Sequence, residues 1–159
     1  MKRLVDMMEA DAILLDLEGE DFAGVLQNGL AALSRAGLLS ADLSARLGEA
    51  LLAREAQGGI RIGRGVAVPH VYLDGITETR LYFCRSKKAL PTDEADGLAV
   101  DLVLILCGPV EAQANHLPLL ARLVRLLNRP ALLDALRQAS TPGDVMQVLN
   151  ETESINDQR

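Results

Sequence analysis

Residues 99–107, AVDLVLILC, constrain this chain more than any other stretch: they are apolar at nearly every position, and only Asp101 interrupts them. A strand with one wet face alternates apolar and polar side chains, whereas a strand covered on both faces reads as a continuous apolar run. The segment is therefore predicted to be a strand with packed layers above and below it. Even counted from Leu98 it reaches only about half of the roughly 20 residues a membrane helix needs, and it carries a carboxylate.

The rest of the chain supplies those layers. TRLYFCRS (79–86) alternates as a half-buried strand and anchors the sheet together with the long apolar run, and AILLDL (12–17) reads as a short strand. VAVP (66–69) has strand residue types, but Pro69 has no N–H for a ladder, so it marks an edge or a terminus. Phe22, Val25, Leu26, Leu30 and Leu33 recur at helical spacing, and Gly37 suits a left-handed cap behind them. Ser40 caps a second helix with Asp42 in its first turn and a stripe of Leu43, Leu47, Ala50, Leu51 and Arg54, which QGG then stops. Leu117, Leu120, Ala121, Val124 and Leu127 predict a third stripe; PALLDALRQA opens on Pro130, and TPGDVMQVL opens on Thr141 and Pro142. Two helices precede the strand group and three follow it, without strict alternation. The predicted fold class is α/β, a mixed sheet sandwiched between helices in three layers. Residues 1–150 are expected to form one domain, and 151–159 a frayed polar tail within NETESINDQR.

Composition removes several function classes. With 159 residues and 49% hydrophobic content the chain can bury one substantial core, but only 3% aromatic content and no Trp leave few platforms for stacking bases. A net charge of −6 and a pI near 4.9 give no overall field for nucleic acid or an anionic membrane, and neither is expected as a partner. Cys84 and Cys107 sit inside apolar runs without zinc-site spacing, so both are read as core residues. The opening MKRLVDMMEAD begins like a signal peptide, yet Asp6, Glu9 and Asp11 interrupt any apolar segment; a cytoplasmic protein without membrane insertion is expected.

The candidate chemistry centres on GVAVPHVYLDG (65–75). Pro69 confines Val68 to extended geometry and fixes its own φ, so the backbone that delivers His70 has little freedom. A neutral imidazole is a good nucleophile near neutral pH, though a lone histidine here serves equally as a satisfied core or surface residue. The second histidine, His116, falls between Asn115, a good N-cap, and Pro118, which is tolerated only in a first turn. That places His116 where free amides and the helix dipole favour an anion and disfavour imidazolium; a capping role is the alternative. Two histidines lack a third ligand at helical spacing, so a metal site is not expected. Arg54 offers a planar fork suited to phosphate oxygens, or is simply a solvated charge at a helix C-terminus. Arg61, Arg64, Arg80, Arg85, Lys87 and Lys88 gather around His70 in sequence and read mainly as a solvated face. GGIRIGRG is glycine-rich but lacks the Lys-Ser/Thr and the following helix of a nucleotide cradle.

Taken together, LLAREAQGG, IRIGRGVAVPH, DLVLILCGP and HLPLLARLVRLL resemble enzyme IIA of the mannitol/fructose class of the bacterial phosphoenolpyruvate-dependent phosphotransferase system, including its nitrogen-related regulatory members. The resemblance runs from about residue 10 to 150. It implies that His70 is the phosphoryl acceptor, that Arg54 of the family's Arg-Glu pair steadies the phosphoryl group, and that His116 is the second active-site histidine. It implies a phosphotransferase with a phosphohistidine intermediate and no cofactor. The donor would be the histidine-containing phosphocarrier protein. The next partner would be a downstream enzyme IIB in sugar uptake or, in the alternative, a regulated protein whose binding follows the state of the histidine. The chain departs from the family pattern at Arg61 and Arg64, at VYLDG after His70, and at Pro118.

Overall fold

The computed structural model describes residues 2–91 and 99–158. In chain order its elements are β1 (Ile13–Leu17), α1 (Phe22–Arg35), α2 (Ala41–Ala56), β2 (Arg61–Gly63), β3 (Val66–Ala67), β4 (His70–Tyr72), β5 (Arg80–Leu90), β6 (Val100–Gly108), α3 (His116–Leu127), α4 (Pro130–Gln138) and α5 (Pro142–Asp157). Short 3-10 turns occupy Leu4–Met7, Ala10–Ala12 and Val110–Asn115.

The apolar run is the centre of the sheet. The strand order is β1-β5-β6-β3-β2, with β4 also paired to β6. β6 is antiparallel to β5 and parallel to both β3 and β4, while β1 runs parallel to β5, so the sheet is mixed as the sequence predicts. Alternate β6 side chains enter two separate cores. Leu102, Leu104 and Leu106 meet Leu119, Leu123, Leu133, Val145 and Leu149 of α3, α4 and α5. Val103, Ile105 and Cys107 meet Phe22, Leu26, Leu33, Leu47 and Leu51 of α1 and α2. Coverage on both faces is why the run has no polar alternation. Its one carboxylate, Asp101, lies where Arg137 of α4 donates to both its oxygens, at 2.8 and 2.9 Å. Both cysteines are buried and free, and burial pushes the Cys84 thiol up to about 12 and that of Cys107 to about 11.

The helix boundaries follow their caps. The Ser40 hydroxyl accepts from the Leu43 amide, Pro130 opens α4, and Thr141 and Asp144 form a reciprocal capping box at α5. Gly37 takes φ +78° behind α1, a left-handed conformation that favours glycine. The strand expected at VAVP stops at Ala67 and resumes at His70, with Pro69 at the break.

Two expectations are corrected. The buried stripe of α3 is His116, Leu119, Leu123, Leu126 and Leu127, while Leu117 is 74% exposed. HLPLLARLVRLL offers leucine to several faces, and the face that seats His116 against the sheet is the one buried. The end of the chain is also not a frayed tail, because α5 continues to Asp157 and Glu153 is fully buried in it. The Glu153 carboxylate accepts the Leu4 and Val5 amides at 2.9 and 3.0 Å, and Arg122 of α3 approaches it at 2.9 Å. A carboxylate buried this completely is compensated by the amides and the cation that surround it. Glu153→Ala should therefore lower unfolding stability by about 3 kcal/mol, read as an earlier urea midpoint, with Glu153→Gln losing less because one acceptor remains. An unchanged midpoint in Glu153→Ala would show that these bonds hold nothing.

Candidate functional site

His70 is delivered by backbone that is tied on both sides of Pro69. The Val68 amide donates to the Ile60 carbonyl at 2.7 Å, and the Pro69 carbonyl accepts the Leu106 amide at 3.0 Å. His70, Val71 and Tyr72 then pair in parallel with Leu106, Cys107 and Gly108. Val71 is buried in the core beneath α1 and α2, so strand alternation sends His70 and Tyr72 to the opposite face, the one carrying α3. The His70 Nδ1 lies 3.1 Å from the Val68 carbonyl oxygen. A carbonyl only accepts, so Nδ1 carries the hydrogen and Nε2 keeps its lone pair.

His116 meets this strand from the helix side. It is the first residue of α3, as the sequence predicts; Asn115 holds the cap position without a side-chain cap bond, and a 3-10 turn precedes it. The ring is 3% exposed, packs on Tyr72 with centroids 4.7 Å apart, and shares a 2.9 Å hydrogen bond between Nε2 and Thr79 Oγ1. Its Nδ1 is buried with no hydrogen-bond partner among the described residues. Gly108 makes the space, since a Cβ there would stand 2.7 Å from the ring's Cε1. Burial, and secondarily the charge on neighbouring His70, hold the His116 pKa below the ordinary imidazole value.

The two histidines thus share one face at the C-terminal end of β6. Arg54 stands in the last turn of α2, which packs against β4. Its Nη1 donates to the Gly58 carbonyl at 2.6 Å, in the loop whose Ile60 holds the Val68 amide. Arg54 is therefore joined to the approach to His70 through that loop, and its hydrogen bond goes to the loop, not to an imidazole. The basic residues near His70 in sequence are dispersed in space. Arg61 faces Glu55 at 3.5 Å, and Lys87 and Lys88 reach Glu18 and Glu20 as exposed surface pairs. Arg64 is exposed beyond Val66, whose partner Leu102 lies four residues along β6 from Leu106, the partner of His70, or about 13 Å.

Sequence reasoning missed Thr79 and Gly108. Gly108 ending an apolar run is a detectable sign of close approach. Thr79 offers no such sign, because it matters only through the antiparallel register that sets Arg80 opposite Cys107 and so carries Thr79 to Gly108. The neutral state of His116 has a measurable consequence. The unfolded ring protonates near 6.5 whereas the native ring resists it, so this contribution to stability is complete above 6.5 and is lost as pH falls toward the lowered native value. Urea midpoints taken from pH about 7 down to about 5 should fall for wild type and fall less for His116→Gln; equal slopes would contradict the buried neutral ring.

Comparison with known proteins identifies the family. Residues 6–152 match the family described as Phosphoenolpyruvate-dependent sugar phosphotransferase system, EIIA 2. A Nitrogen regulatory protein of Bradyrhizobium diazoefficiens is 34% identical over 146 residues, covering 92% of this chain and 94% of that protein. The PTS system fructose-specific EIIABC component of Bacillus subtilis is 27% identical over 149 residues, which are 94% of this chain but only 23% of that protein's length. In the crystal structure of Nitrogen Regulatory Protein IIA-Ntr from Neisseria meningitidis the same fold recurs with a TM-score of 0.80 at 28% identity, covering 91% of this chain and 97% of that one. No helix among the described residues is long and apolar enough to cross a membrane. With the family match spanning Arg54, His70 and His116, the chain belongs to the EIIA type 2 family of phosphotransfer components of the phosphoenolpyruvate-dependent sugar phosphotransferase system.

Proposed function

We propose that this protein is a phosphocarrier that holds a phosphoryl group on His70 Nε2. The observation that carries the reading is the Nδ1–H bond from His70 to the Val68 carbonyl, which leaves Nε2 as the only nucleophilic nitrogen of a strand-fixed ring. The Nε2 lone pair attacks the phosphorus of a phosphohistidine on the histidine-containing phosphocarrier protein. The donor's P–N bond breaks with its electron pair returning to the donor ring, and a new N–P bond forms on His70. The Val68 carbonyl then steadies the positive charge that the substituted imidazole acquires. The group leaves in the same manner to a cysteine or histidine of a downstream enzyme IIB or of a regulated protein.

Phosphoryl transfer spreads charge over three equatorial oxygens, so the surroundings act by positioning and charge stabilisation. In this reading the Arg54 fork and the first-turn amides of α3 supply those donors, and the His116 ring forms the neighbouring wall of the site. Between transport and regulation, the 34% identity with a nitrogen regulatory protein along nearly its whole length favours a regulatory role.

Incubation with phosphoenolpyruvate and the two general phosphotransferase proteins should add the mass of one phosphoryl group, stable in alkali and lost in acid. His70→Ala should gain nothing, and Arg54→Lys should be phosphorylated about 10-fold more slowly because an ammonium cannot grip two oxygens at once. Absence of any adduct on intact wild type overturns the phosphocarrier reading, and partner binding that ignores the phosphorylation state of His70 overturns the regulatory one.

A further inference from the structure

Thr79 enters none of the chemistry above, yet its hydroxyl holds the more buried of the two imidazoles. His116 is confined on three sides: the Tyr72 ring packs on it at a tilt of 55°, Gly108 lies beneath the Cε1–Nε2 edge, and Thr79 Oγ1 stands 2.9 Å from Nε2. The remaining nitrogen, Nδ1, is buried and has no hydrogen-bond partner among the described residues.

A neutral imidazole has one N–H, and these contacts decide where it sits. On Nδ1 it would be an orphaned buried donor, rarer in native proteins than an orphaned acceptor. It would also stand in the first turn of α3, where unpaired backbone N–H groups favour a lone pair over another donor. On Nε2 the same hydrogen finds an oxygen at hydrogen-bond distance. We propose that Thr79 is a positioning residue of the transfer site: its Oγ1 accepts the Nε2–H of neutral His116, fixing that ring in one tautomer and one orientation over Gly108. The consequence rests on the phosphocarrier reading. A ring already held in one tautomer and one orientation need not reorganise when charge develops on a phosphoryl group at His70. The ring state itself does not depend on that reading.

The chain has only two histidines, so nitrogen-15 spectra of the imidazoles can be assigned with His70→Ala as reference. In unphosphorylated wild type near neutral pH, His116 should show hydrogen on Nε2 and a lone pair on Nδ1. Thr79→Val keeps the shape and removes the acceptor; it should give mixed tautomers and slow phosphoryl transfer through His70 about 10-fold or more, and Thr79→Ser should restore both. Hydrogen on Nδ1 in wild type, a Thr79→Val protein that transfers at the wild-type rate, or failure of serine to rescue would each overturn the proposal. Should Thr79→Val fail to fold, the wild-type spectrum and the serine variant still decide it. If wild-type His70 accepts no phosphoryl group, the phosphocarrier reading falls, while the ring signals still settle what Thr79 does.

Discussion

The parallel pairing of His70, Val71 and Tyr72 with Leu106, Cys107 and Gly108 is the constraint on which the site depends. Side chains alternate along a strand, so the burial of Val71 under α1 and α2 fixes His70 and Tyr72 on the α3 face. A slip of one residue would bury His70 and turn Val71 toward His116. Pro69 stands at the point where such a slip would begin. It supplies no amide to shift the ladder, while its carbonyl accepts the Leu106 amide and holds the register. β6 in turn keeps its place because leucines fill one of its faces and Val103, Ile105 and Cys107 fill the other. The geometry of two small rings is thus inherited from a strand gripped on both sides.

Much of this was legible in the residues, and the limits have physical causes. β6, the mixed three-layer sheet and most helix boundaries were readable because each rests on local facts: an uninterrupted apolar run, a hydroxyl before a helix, a proline at its first turn. The places of His116 and Arg54 at a helix start and a helix end were readable for the same reason, whereas the strand that begins at His70 was not, because the residues indicate only a strand ending at Pro69. The α3 stripe was not, because leucine occurs on several faces of HLPLLARLVRLL and only contact with the sheet selects among them. The helical end of the chain was hidden more deeply. NETESINDQR is polar but for Ile155, and Glu153 becomes a core residue only when the amides of Leu4 and Val5 arrive from the opposite terminus. A composition window cannot register a partner nearly the whole chain away.

Charge shows the same divide between sequence and space. Six basic residues flank His70 in order along the chain and read mainly as a solvated face. In the fold they separate: Arg61 turns to Glu55, Arg85 donates to the carbonyls of Leu136, Arg137 and Ala139 at the end of α4, and Arg80 pairs with Glu78 and Glu9. Each of these three cations answers a local need of the scaffold. On the phosphocarrier reading, the stabilisation of an anion at His70 falls to short-range donors, the Arg54 fork and the first-turn amides of α3, rather than to a diffuse field.

The two imidazoles are chemically unlike because their hydrogen-bond partners differ. The His70 ring gives its Nδ1–H to a main-chain carbonyl and stands partly open, which suits a group that must present a lone pair to an incoming phosphorus. The His116 ring is closed in by Tyr72, Gly108 and Thr79, and burial keeps it neutral. On the phosphocarrier reading, a charged ring at that position would repel the positive charge His70 would acquire on phosphorylation. A neutral one stands beside it without that repulsion. Placing the second histidine in a dry pocket, where its pKa falls, therefore suits the first to carry charge, and the two roles are set by solvent access and by the hydrogen-bond partner of each ring.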